Sequence, residues 1–167
     1  MGGYPRRFRG SAMQAPLLLA FAIGFVAGLR TMTAPAAVAW AAYLGWLDLG
    51  GSWLAFLGNA WVRWILTALA LVELVADQLP STPSRTVPVQ FGARLLTGAL
   101  SGAAVGTAGG SWVVGLFAGV VGAFVGTLGG RAFRARLAAA FGSDRPAAFI
   151  EDAVAVGGAL LIGVALR

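Results

Sequence analysis

"LLTGALSGAAVGTAGGSWVVGLFAGVVGAFVGTLGG", Leu95 to Gly130, contains thirty-six residues without a charge. A run of about 20 apolar residues crosses a bilayer core, so this stretch holds a hairpin of two helices. "GTAGGS", Gly106 to Ser111, divides it and is a turn by composition. Within the hairpin Gly98, Gly102 and Gly106 recur every four residues, as do Gly115 with Gly119 and Gly122 with Gly126. At helical spacing such glycines form flat faces that let helices approach closely, within a bundle or between copies in a homo-oligomer. Gly24 and Gly28 repeat the pattern upstream.

The rest of the chain follows the same plan. It is 59% hydrophobic and 11% charged over 167 residues, with mean hydropathy +0.83. A soluble domain of this size needs far more polar surface. A second uncharged run covers residues 10–29. Behind the basic start "YPRRFRG" it resembles a signal peptide superficially, but it is long and leads directly into Arg30 and further apolar segments. It reads as a retained first helix. The expected fold is all-α, a polytopic transmembrane helical bundle of about 5–6 membrane segments. A basic tail occupies residues 1–11, and a single membrane domain residues 12–167 with pseudo-halves at about 12–80 and 89–167.

Six segments are marked, at roughly 12–29, 33–47, 53–79, 89–107, 112–130 and 147–166. The second opens on Thr33 and Pro35, a helix-start signature. Trp40, Trp46, Trp53, Trp61, Trp64 and Trp112 fall near segment ends, where an indole keeps its body in lipid and its N–H in the headgroups. Between the last two segments, "RAFRARLAAAF" alternates Arg131, Arg134 and Arg136 with Phe133, Leu137 and Phe141. That pattern serves a basic helix on the membrane surface or arginines lining a polar cavity.

All twelve basic residues are arginine, and the chain has no lysine, histidine or cysteine. Disulfides, thiolate catalysis and metal sites built on Cys or His are excluded. Ser81, Ser84 and Thr86 have no histidine to activate them, so a Ser-His relay is excluded too. No catalytic residue, metal site or cofactor is assigned. The net charge of +6 lies between apolar segments, so the expected partners are the bilayer and its anionic headgroups, with no nucleic acid.

The residues with chemical potential are charges that interrupt apolar helices. Glu73 stands inside "WILTALALVELVA" one turn before Asp77, and Glu151 with Asp152 opens the last segment. An intramembrane carboxylate costs about 2–3 kcal/mol unless paired and defaults to a functional hypothesis. Arg30, Arg85, Arg94 and Arg131 are the available counterions. The alternative leaves each as a boundary charge, with Glu151 and Asp152 complementing a helix N-terminus.

"GFVAGLR", Gly24 to Arg30, resembles "GAFVGTLGGR", Gly122 to Arg131; "LVELVAD" at Leu71 resembles "FIEDAVA" at Phe149. The order of arginine-ended helix, short segment and acidic helix therefore occurs twice. If the short second segment does not cross, the basic N-terminus and residues 131–145 share the cytoplasmic side and the halves form an inverted repeat. If all segments cross, those two basic stretches lie on opposite sides.

"GLRTMTAPAAVAWAA", "ELVADQLPSTPSRTVP", "ARLLTGALSGAA", "GTLGGRAFRARL" and "EDAVAVGG" together resemble the bacterial DUF4126 family over about residues 15–165. Its members are small integral membrane proteins of uncharacterised function. The resemblance implies a bacterial inner (plasma) membrane location, multi-pass, and the basic start places the N-terminus on the cytoplasmic side. It implies a shared arrangement of Arg30, Glu73, Asp77, Arg85, Arg94, Glu151 and Asp152. The family pattern carries an aromatic where this chain has Arg131. The expected function is a small carrier or channel for an ion or a small or lipid-linked anion, built on that charge network. The rival is a structural or accessory membrane protein whose charges are anchors.

Overall fold

The computed structural model describes residues 8–77 and 87–167. Among the described residues the chain is all-helical, with six α-helices, one short 3₁₀ turn at Ala55–Gly58 and no strand. The helices are α1 (Phe8–Leu29), α2 (Thr33–Tyr43), α3 (Ala60–Ala76), α4 (Pro88–Ala108), α5 (Trp112–Phe141) and α6 (Asp144–Ala165).

Glycine decides the turns. Gly45 (φ +74°) ends α2: its N–H reaches Ala42 O, and Trp46 N–H reaches Ala41 O, which satisfies two carbonyls of the last turn. Gly110 (φ +82°) does the same after α4, with Ser111 N–H on Gly106 O. Ser111 Oγ then accepts from Val114 N and starts α5, so the hairpin closes where "GTAGGS" places it.

Glycine also decides the packing. A methyl group on Gly24 would lie 2.6 Å from Gly119 Cα, and one on Gly28 would lie 2.6 Å from Thr127 N. On the other side of α5, a methyl group on Gly106 would lie 2.6 Å from Gly115 Cα, and one on Gly119 would lie 2.9 Å from Gly102 Cα. Gly98 meets Gly119 and Ala123, while Gly122 and Gly126 take the backbone of Phe21 and Phe25. All nine glycines of the predicted faces therefore sit in helix–helix seams, and α5 is wedged between α1 and α4.

The seams fix direction. Phe21 lies on Gly122, Phe25 on Gly126 and Gly28 on Thr127, so α1 and α5 run parallel. Gly98 lies on Gly119 and Gly106 on Gly115, so α4 runs antiparallel to both. The two arginine-ended helices compared in the sequence thus point the same way, contrary to an inverted relation between them. The start of α1 and the 131–145 stretch consequently lie at opposite ends of the bundle. α2 turns back from the end of α1, and α3 returns beside it: Trp40 Nε1 donates to Thr67 Oγ1 at 3.0 Å, and Glu73 reaches the start of α2.

Three expectations change. α5 continues through Gly129 and Gly130 for 30 residues, so the basic stretch extends this helix. α6 begins at Asp144, which puts Glu151 and Asp152 about two turns inside it, beyond the N-terminal turn where the dipole acts. α2 has 11 residues and a length of about 16 Å, against a hydrocarbon core of about 30 Å. Among the described residues, α5 and α6 are the two helices long and apolar enough to cross a membrane, and Gln14–Leu29 is a shorter apolar helix.

Candidate functional site

α1 stops at Leu29 and α2 starts at Thr33, so the break "LRTM" leaves helix-end carbonyls and N–H groups inside the bundle. Such groups need partners when water is excluded. Two charged side chains supply them. Arg94 of α4, 2% exposed, donates from Nη1 to Gly28 O at 2.8 Å and Leu29 O at 2.7 Å. Glu73 of α3 accepts from Thr31 N at 2.7 Å and Met32 N at 2.8 Å, one with each carboxylate oxygen. Each charge sits at the helix end its sign favours: a cation at the α1 C-terminus, an anion at the α2 N-terminus. Arg94 Nη2 and Glu73 Oε1 are 3.9 Å apart, and Thr127 Oγ1 adds a 3.3 Å bond to Gly28 O. Met32, the residue before α2, has no side-chain cap of its own, and Thr33 sits inside the helix rather than capping it.

Arg30 lies in the break and has no solvent exposure. Its guanidinium forms ion pairs with Asp77, just past α3, and Asp152 of α6. One arginine therefore ties together the ends of α1 and α3 and the interior of α6.

Beyond it, toward the C-terminal end of α5, lies a second group. Arg134 Nε donates to Asp144 Oδ1 at 2.8 Å, and Arg134 Nη1 is 3.5 Å from Glu151 Oε2. Glu151 is 1% exposed.

Six of the predicted residues are thus in contact groups at one end of the bundle: Arg30, Glu73, Asp77, Arg94, Glu151 and Asp152. Arg131 lies on the exposed face of α5, and Arg134, one turn on, takes the inward position. The signal for that exchange was rotation: the inward seam of α5 runs through Ala123, Thr127 and Gly130, which places 134 on it and turns 131 away. Arg85 lies outside the described residues. Buried Thr127 was also not anticipated, because a threonine among glycines reads as packing.

The caps predict an asymmetry at Glu73. Glutamine offers one acceptor oxygen where two N–H groups need one each. Glu73→Gln is expected to lower stability by about 1–3 kcal/mol, the cost of one orphaned buried donor. Thermal unfolding in detergent checks this, with Glu73→Asp as the variant that keeps both oxygens.

No curated protein and no solved structure matches the chain. The match that exists is at family level. Residues 17–165, which hold the helix break, both charge groups and every glycine seam, match the family described as a domain of unknown function, DUF4126, and the chain belongs to it.

Proposed function

We propose that this is an integral membrane protein in which all six helices lie within the bilayer, and that its buried charge cluster passes or holds a small ion or anion. One observation carries the reading: polarity is arranged outside-in. Arg30, Thr127 and Ser101 have no exposure, while Trp61 is 77%, Leu96 73% and Leu161 73% exposed. The outward faces of α3, α5 and α6 carry Ile65, Val72, Phe117, Phe124, Phe149 and Leu160. Monomeric soluble proteins rarely expose contiguous apolar patches beyond a few hundred Å², whereas lipid is the natural solvent for such a surface. In that setting α2 is the short arm of a hairpin whose polar end is closed by Arg30, Asp77 and Asp152. A cluster spanning three helix ends inside an apolar shell is the arrangement that marks ion and substrate paths.

A second reading is favoured by the caps. Glu73 accepts hydrogen bonds from the backbone of the α1–α2 break and Arg94 donates to it, which makes them parts of the scaffold. Reconstitution separates the two. Proteoliposomes loaded with a pH dye, or exchanged against radiolabelled chloride or phosphate, are expected to show flux above protein-free liposomes, and Asp152→Asn is expected to abolish it. Absence of flux for all three probes, with protein correctly inserted, leaves the accessory role.

A further inference from the structure

Arg63 stands at the end of the bundle opposite the charge cluster, in the first turn of α3 after Asn59 has capped it. It is 9% exposed and surrounded by aromatic rings. Its Cζ is 3.2 Å from the Tyr43 ring centroid, 4.7 Å from Trp40 and 5.6 Å from Trp64. Trp64 packs edge-on against Trp40 at 5.3 Å, so the rings hold one another as well as the cation. This cage satisfies the guanidinium face and none of its N–H groups. Nε and Nη1 are buried without an acceptor, which leaves Nη2 as the nitrogen that reaches the surface.

Ionised donors without acceptors are costlier than neutral ones, and a stack on rings supplies none. In a protein embedded as proposed above, on which this inference rests, the acceptor has to come from outside the chain. The depth identifies it. Trp61, Trp53 and Trp112 are exposed near this end, with Trp53 and Trp112 edge-to-face at 5.9 Å. Exposed indoles mark the headgroup level, where the abundant anion is phosphate. Arginine's planar fork is the side chain suited to grip it.

We propose that Arg63, held by Tyr43, Trp40 and Trp64, is a binding site for the phosphate of a phospholipid headgroup. The rings fix the plane of the fork and exclude competing water from its faces. Nη2 makes first contact, and a small opening of the cage brings Nη1 to a second oxygen.

The test uses the full-length chain, delipidated in detergent and titrated with phosphatidylglycerol, with bound lipid counted by native mass spectrometry. Wild-type protein is expected to retain one tight lipid, and Arg63→Gln to weaken it by about tenfold or more. Arg63→Lys, which keeps the charge and loses the fork, is expected to fall between them and serves alone if the glutamine variant does not fold. Unchanged lipid affinity in either folded variant overturns the site. Inorganic phosphate is titrated in parallel: saturation of the site by free phosphate with no retained lipid also overturns the lipid assignment. Flotation with phosphatidylglycerol vesicles keeps the premises apart. Failure of the wild-type protein to float removes the membrane reading itself, whereas flotation with lipid binding indifferent to Arg63 removes only this site.

Discussion

Arg30→Gln is expected to destabilise the protein by about 3–5 kcal/mol, because it leaves Asp77 and Asp152 inside the bundle without their shared cation. The two carboxylates are 12% and 16% exposed, so water relieves little of that charge. Removing one negative charge at the same time should recover part of the loss. Arg30→Gln with Asp152→Asn is therefore expected to be more stable than Arg30→Gln alone, and the coupling can be read from a double-mutant cycle of unfolding free energies in detergent. Equal stability of the two variants would contradict a shared guanidinium. Asp152→Asn alone should be milder, since Arg30 keeps Asp77.

Gly119→Leu is expected to be the most damaging glycine substitution. The position meets helix backbone on two sides: Gly24 of α1 on one, Gly98 and Gly102 of α4 on the other. No side chain there can rotate aside, because the obstructing atoms are carbonyl oxygens and Cα atoms. Overpacking costs about 1–3 kcal/mol in an ordinary core and more where backbones must separate, so loss of the folded bundle is expected. Gly129 supplies the control. It lies on the same helix with nothing within 4 Å of an added methyl group. Gly129→Ala should raise stability by up to about 1 kcal/mol from helix propensity alone. The opposite signs distinguish seam glycines from merely helical ones in one set of melting curves.

The glycine seams were legible in the sequence because a period of four maps directly onto a helix face. The ends of α1 and α4 were legible from Arg30 and "GTAGGS". The pairing of charges was only half legible. Sequence shows which apolar segments carry a charge, and it led to Arg30, Glu73, Asp77, Arg94, Glu151 and Asp152. It does not show that Glu73 and Arg94 serve backbone groups of a break between two other helices, since those partners are main chain and common to every residue. Arg131 and Arg134 differ by one turn and by little in local sequence; only the packed seam of α5 separates the exposed one from the inward one. The continuity of α5 across Gly129–Gly130 was hidden for a related reason. Glycine lowers helix propensity, but Gly130 is buried in the bundle, and tertiary packing outweighs that weak local preference. Direction was not legible at all: similar strings of glycine and apolar residues end in arginine on α1 and α5, and they run parallel.

The pairing of Arg30 with Asp152 also sets an order in time. The two residues belong to the break after α1 and to α6, so the ribosome makes every helix between them before the second carboxylate exists. Until then the Arg30 guanidinium lacks the carboxylate that α6 supplies, and α6 is not yet present to pack against α1 and α5. A chain that stops short of α6 is expected to leave that ion pair unmade and the α6-facing sides of α1 and α5 uncovered. The Arg30–Asp152 pair is therefore a contact that synthesis makes available only after the five preceding helices exist.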